Sequence, residues 1–161
     1  MKHLKDILIA ILIILILVGI DQLTKYLAFK HLEEGQIYKA IPHLFKFELH
    51  RNDGAAFSSL SGKLWLFYII TILALGAFGY LMKDCDFSLM PIYTISLCLI
   101  ISGTIGNFID RVIFSSVRDF LTFDFMNFAV FNFADMCLTI GVILLILDLL
   151  FGKTGKLWSK S

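Results

Sequence analysis

The sequence has almost no net charge, few cysteines and no histidine cluster, and each absence excludes a class of function. The formal net charge is +1, which is too small a field to favour nucleic acid as a partner. Cys85, Cys98 and Cys137 show no Cys-x-x-Cys spacing, so neither a metal site nor a disulfide framework is indicated. No Ser/Lys or Cys/His nucleophile pair and no two-histidine motif stands out. We therefore expect neither a metal nor an organic cofactor.

Long hydrophobic runs, by contrast, dominate the chain. Hydrophobic residues make up 58% of its 161 residues, more than a soluble domain needs, because the exterior of such a domain faces water. Four apolar segments reach the roughly 20 residues that span a bilayer, at about 7–29, 64–82, 87–109 and 128–151. The sequence predicts an all-α membrane protein with four transmembrane helices in a single domain, 1–161.

The first apolar segment and the short flanks predict the topology. The first segment has no Ala-x-Ala cleavage site, and Asp21 and Lys25 follow within it, so we interpret it as a retained span. Basic residues are dense in the flanks on one side of the predicted bundle; these are Lys2, Lys5, Lys83, Lys153, Lys156 and Lys160. Both termini are therefore expected in the cytoplasm, with two longer connections outside.

The first outer connection contains a strand pattern. Residues Phe45–Arg51 alternate apolar and polar side chains, as in a half-buried strand. We predict a small extracytoplasmic β-sheet or loop element over about residues 36–60. The second outer connection is rich in phenylalanine, which favours anchoring at the membrane interface; an apolar flap over a lipid-facing cleft is the alternative.

Nearly all strongly polar residues at membrane depth gather in the outer half of the predicted bundle. Asp148, at the inner end, is the exception and is expected to snorkel towards water beside Lys153. Asp21 and Lys25 are four residues apart and are expected to pair on one helix face. Asp110 beside Arg111 is expected to form an ion pair that closes a helix end.

Four glycines are expected to let helices approach closely. They are Gly76, Gly79, Gly103 and Gly106.

Asp135 is the residue that packing explains least well. An aspartate in a spanning helix costs several kcal/mol unless it faces a cavity or a partner, so a functional role is the default hypothesis. Two close carboxylates share a proton and can activate water and protonate a leaving amine. This inventory permits aspartyl proteolysis, although spacing alone does not choose between Asp110 and Asp119 as the partner of Asp135.

Five short motifs in order resemble those of the bacterial lipoprotein signal peptidases (signal peptidase II). They are DQLTK (21–25), NDGAAFS (52–58), GTIGNFIDR (103–111), VRDF (117–120) and FNFAD (131–135). The resemblance covers almost the whole chain. It implies a membrane aspartyl endopeptidase of the bacterial cytoplasmic membrane, with its active site towards the outer side. The implied substrates are prolipoproteins whose cysteine carries diacylglycerol, cut just before that cysteine.

By motif, the resemblance implies that Asp119 and Asp135 are the catalytic pair. It also implies a set of residues that hold the pair and the substrate: Asn52, Gly54, Asn107, Asp110, Arg111, Asn132, Asp21 and Lys25. The chain departs from the family pattern at Arg118, where an apolar residue is expected. Arg118 is predicted either to lower the pKa of Asp119 or to reach a lipid phosphate.

Two rival functions remain open on sequence alone. A small proton-coupled membrane carrier also uses intramembrane carboxylates, but it needs polar groups through the whole depth of the bundle. A non-catalytic scaffold would use the aspartates only to pair helices. Membrane lipids and diacylated prolipoproteins are the expected partners of a peptidase, which we expect to be monomeric.

Overall fold

The computed structural model describes residues 2–54, 63–152 and 154. This part of the chain contains four helices that are long and apolar enough to cross a membrane. They are α1 (Lys2–His31), α2 (Leu64–Leu81), α3 (Pro91–Phe114) and α4 (Phe133–Phe151). The predicted four-helix membrane fold is confirmed, and the protein is a multi-pass membrane protein. Residues 55–60 of the predicted outer element and the lysines at 153, 156 and 160 lie outside the described residues.

Local chemistry explains where α3 and α4 begin. Pro91 is the first residue of α3, a position at which a missing N–H removes no intrahelical bond. Asn132 caps α4: its side chain accepts from the N–H of Asp135, and the Asp135 side chain accepts from the N–H of Asn132. This reciprocal capping box satisfies two free donors and fixes the direction of Asp135.

Three antiparallel strands form a small sheet in the order β1-β2-β3. They are β1 (Ile37–Ile41), β2 (Phe45–Asn52) and β3 (Val117–Phe123). The alternation in the sequence predicts β2, and the predicted small sheet is confirmed. The second outer connection supplies β3, a strand that the sequence did not predict, and His50 of β2 pairs with Asp119.

The turn from α3 into β3 and the bridge from β3 to α4 bring distant carboxylates together. Ser115 ends α3 in the left-handed conformation (φ 57°) and turns the chain back. Leu121 and Phe131 then exchange backbone hydrogen bonds of 2.9 and 2.8 Å. The bridge holds residues 128–131 against the sheet, which is why α4 starts later than the apolar run.

Close helix packing occurs at two of the four predicted glycines. A Cβ at Gly103 would meet the carbonyl oxygen of Ala134, and one at Gly106 would meet the Asp21 carboxylate. The prediction is wrong for Gly76 and Gly79, where an added Cβ would meet no described atom within 4 Å.

Asp148 also departs from expectation. Its side chain is buried inside the fold, so the prediction that it snorkels to water is wrong.

Candidate active site

Asn132 links the two carboxylates that the motifs singled out. Its side-chain amide donates to Oδ1 of Asp119 at 2.6 Å, while its backbone N–H donates to Oδ2 of Asp135 at 3.1 Å. Asp119 comes from β3 and Asp135 from the first turn of α4. The fold therefore brings together two acidic residues that lie sixteen positions apart in the chain.

A chain of hydrogen bonds from α1 supports this pair. The Lys25 ammonium is fully buried and donates to Oδ1 of Asn107 at 3.0 Å. The Asn107 amide in turn donates to Oδ1 of Asp135 at 2.8 Å. Lys25 also pairs with Asp21 at 2.9 Å, as the four-residue spacing predicted. Asp21 accepts from the N–H of Ala134 at 2.9 Å, so α1 fixes the start of α4.

Asp110 lies outside the pair, because other groups occupy its carboxylate. Arg118 donates to both of its oxygens, from Nε at 3.1 Å and from an Nη at 2.9 Å, and the backbone N–H of Arg118 adds a third bond at 2.9 Å. Lys25 lies 3.7 Å away. The predicted ion pair of Asp110 with Arg111 is therefore wrong. The partner of Asp110 is Arg118, eight residues further along the chain.

Arg118 is part of the buried polar network, a placement that neither expectation for it included. Its side chain is buried, binds Asp110 and donates to the Gln22 side chain at 3.0 Å. Among the described residues, these side-chain bonds of Arg118 go to Asp110 and Gln22 and not to the Asp119 carboxylate. A buried guanidinium that binds both oxygens of one carboxylate makes a strong and directional contact. This contact holds Arg118 in place, and Arg118 directly precedes Asp119 in β3.

Arg111 faces the other side of the site. It donates to the carbonyl oxygens of Asn107 at 3.5 Å and Gly54 at 3.4 Å, and its guanidinium lies 4.5 Å from the ring centroid of Phe67. Asn52 completes this wall. Its amide donates to Oδ2 of Asp119 at 3.1 Å, and its side-chain oxygen accepts from the N–H of Gly54 at 3.0 Å.

A cavity of about 470 Å³ lies over the two carboxylates, within the usual range for ligand sites. Asn107, Arg111, Asn52 and Gly54 contribute polar groups to its walls, and α4 contributes apolar ones; the apolar lining includes Val117, Phe123, Phe128, Val130, Phe131, Met136 and Ile140. The cavity therefore joins an acidic centre to a hydrophobic wall.

The electrostatics suit proton transfer near neutral pH. Burial, followed by the nearby Asp135 charge, raises the pKa of Asp119 to about 7, although hydrogen bonds from Asn52 and Asn132 oppose the increase. Two carboxylates in such an environment retain a shared proton that an exposed pair would lose. The arrangement can both accept a proton from water and donate one to a leaving group.

All ten residues predicted for the site lie in or directly around this centre. Gln22 was missed: it donates to Asp21, the Gly106 carbonyl and Asp110 at 3.0, 3.0 and 3.3 Å. Its place within the DQLTK motif was the available signal. Among the described residues, no group of three or more His, Cys, Asp or Glu side chains is arranged to hold a metal ion.

Comparison with known proteins agrees with this geometry. The sequence profile of the family described as Signal peptidase (SPase) II matches residues 13–151. A lipoprotein signal peptidase of Streptococcus agalactiae is 48% identical over 90% of this chain and 93% of its own length. One of Staphylococcus aureus is 41% identical over 91% of both chains. A solved bacterial membrane enzyme is 42% identical, with a TM-score of 0.80 over 88% of this chain and 87% of its own.

These relationships favour a peptidase over the proton-coupled carrier. They also agree with the four-helix architecture, because the solved relatives are membrane enzymes of similar fold. The chain belongs to the signal peptidase II family.

Proposed function

We propose that this protein is an aspartic endopeptidase in which Asp119 and Asp135 are the catalytic pair. It removes signal peptides from prolipoproteins whose cysteine carries diacylglycerol, by cutting just before that cysteine. The observation that carries the proposal is the bridge through Asn132, which donates to both carboxylates at the floor of one cavity. Family membership supports the peptide substrate.

The first step uses the single proton that the pair shares. One carboxylate takes a proton from a water molecule, and the water oxygen attacks the carbonyl carbon of the scissile peptide bond. The other carboxyl group gives its proton to the carbonyl oxygen. The pair again holds one proton, and the substrate carbon is tetrahedral, with two hydroxyl groups.

The second step breaks the bond between carbon and nitrogen. The pair donates its proton to the peptide nitrogen while a hydroxyl of the tetrahedral carbon returns a proton to the pair. The products are the carboxyl end of the signal peptide and the free amine of the lipidated cysteine. Because Asn107 and Asn132 hold the carboxylates in position, little reorganisation accompanies either transfer.

The remaining site residues position the pair and the substrate. Arg111 and Gly54 line the cavity. There the guanidinium of Arg111 and the backbone of Gly54 can bind the extended substrate chain. Lys25 and Asp21 brace the site from α1 through Asn107 and the first turn of α4.

The apolar wall suits a lipidated substrate. Met136 and Ile140 of α4 line the cavity and are exposed on the outside of the helix bundle, where a bilayer covers such residues. The acyl chains of the substrate therefore remain among membrane lipids while the peptide bond reaches the pair. Both termini lie in the cytoplasm, the site faces the outer side, and a monomer carries the complete site.

Cleavage of a diacylated prolipoprotein by the purified protein tests the proposal. We expect a mass loss equal to the signal peptide, and no loss from an unlipidated control. The Asp119→Asn and Asp135→Asn variants should insert and fold but not cut, whereas Asp84→Asn, in the short helical turn that follows α2, should cut normally. Normal cleavage by either of the first two variants would reject the assignment of the pair.

A further inference from the structure

A second groove continues from the catalytic cavity across the sheet. It encloses about 370 Å³, and both spaces are lined by Asn52, Phe128, Ala129 and Val130. One wall consists of alternate side chains of β2, and the facing wall includes Met126 and Asn127 of the loop that precedes α4. The two spaces therefore form one path that leads away from Asp119.

The second groove differs in chemistry from the first. Beyond Asn52 its β2 wall presents His50, Glu48 and Lys46, a mixture of charges with no apolar lining on that strand. The aromatic residues Phe45 and Phe47 alternate with these side chains and contact Phe123 and Phe120 of β3 instead. This strand wall suits a hydrated polypeptide, because acyl chains lying on it would leave its polar groups unpaired.

We propose that this groove binds the segment of the precursor that follows the lipidated cysteine, and thereby contributes to substrate selection. The inference rests on the proposed peptidase function. A precursor bound at the pair has an apolar signal peptide and acyl chains on the membrane side, so its remaining segment is a polar chain that must leave towards water. The second groove is continuous with the cavity, and its β2 wall meets this requirement.

The geometry of β2 sets a scale for this segment. A strand rises about 3.3 Å per residue, so Lys46 lies roughly 20 Å along the strand from Asn52, with Glu48 about 13 Å from it. An extended substrate chain covers about 13 Å in four residues and about 20 Å in six. A basic residue near the fourth position after the cut is therefore expected to meet Glu48, and an acidic residue near the sixth to meet Lys46.

Cleavage of matched substrates tests this inference. Diacylated precursors identical through the cysteine would carry Lys or Glu at the fourth position, or at the sixth, and kcat/KM would be measured for each. We expect the wild-type protein to prefer Lys at the fourth and Glu at the sixth by about two- to fivefold, the range of an exposed ion pair. Glu48→Lys should reverse the first preference, and Lys46→Glu the second.

The controls separate this inference from the proposed function. Glu33→Lys and Lys30→Glu make the same charge changes at exposed positions outside the groove, and they should preserve both preferences. If all precursors are cut equally by every variant, the groove inference fails while the peptidase function stands. If variants change all precursors alike and only in anionic lipid, the groove binds lipid headgroups and the inference also fails. Absence of any cleavage by the wild-type protein would instead reject the proposed function.

Discussion

Removal of the Asn52 amide should move the alkaline limit of activity to higher pH. The amide donates to Asp119 at 3.1 Å, and this bond favours the ionised carboxylate. The pair needs its shared proton, so wild-type activity should fall as the pH rises through about 7, the pKa to which burial raises Asp119. In Asn52→Ala one group that opposes this increase is lost, and the pKa of Asp119 rises further.

The magnitude follows from the character of that bond. A hydrogen bond to a charged group contributes about 1.5–3 kcal/mol, and Asn52 is only half-buried, so the lower end of the range applies. About 1.4 kcal/mol corresponds to one pKa unit, which moves the pKa of Asp119 from about 7 to roughly 8. At pH 8 the protonated fraction then rises from about one tenth to about one half.

The assay is the rate of cleavage of a diacylated precursor between pH 5 and 9, with each variant normalised to its own maximum. The absolute rate of Asn52→Ala should also fall, because Asn52 orients Gly54; the position of the alkaline limb is therefore the informative quantity. Gln36→Ala removes an exposed amide whose bonds are to Glu33 and Tyr38, and it should reproduce the wild-type profile. An unchanged or lower alkaline limit in Asn52→Ala would refute the argument.

Three further substitutions test the packing around the pair. Gly106→Ala should lower the thermal unfolding temperature in detergent, because its Cβ would meet Asp21 and overpacking costs about 1–3 kcal/mol. Gly79→Ala places its Cβ in open space and should leave that temperature unchanged. Equal effects of the two substitutions would contradict this prediction. Arg118→Ala should destabilise the fold by about 3–5 kcal/mol, because it removes the main partner of the buried Asp110 charge. Arg118→Lys should recover only part of this loss in the same assay. Full recovery would show that binding both oxygens of Asp110 is unimportant. Lys25→Met should reduce kcat, measured by precursor cleavage, because Asn107 loses the donor that orients it; an unchanged kcat would remove Lys25 from the supporting network.

The sequence by itself determined the membrane spans and the end of the bundle at which the polar residues gather. Span length and apolar composition follow from the thickness of a bilayer, so they can be recognised without knowing any contact. The cost of an aspartate in an apolar helix likewise identified Asp135, and alternation identified β2. Short-range pairing succeeded at Asp21 and Lys25, since four residues make one turn of a helix.

The motifs pointed to Asp119, but only the tertiary structure shows why Asp110 is not available as the neighbour of Asp135. Asp110 and Asp119 are equivalent by composition and depth, and the sequence suggested Arg111 as the partner of Asp110. The turn at Ser115 and the pairing of β3 with β2 instead bring Arg118 onto Asp110 and leave Asp119 facing Asn132. The partner of a buried charge depends on the chain path after the helix ends, and that path is fixed by long-range strand pairing, which residue spacing does not encode.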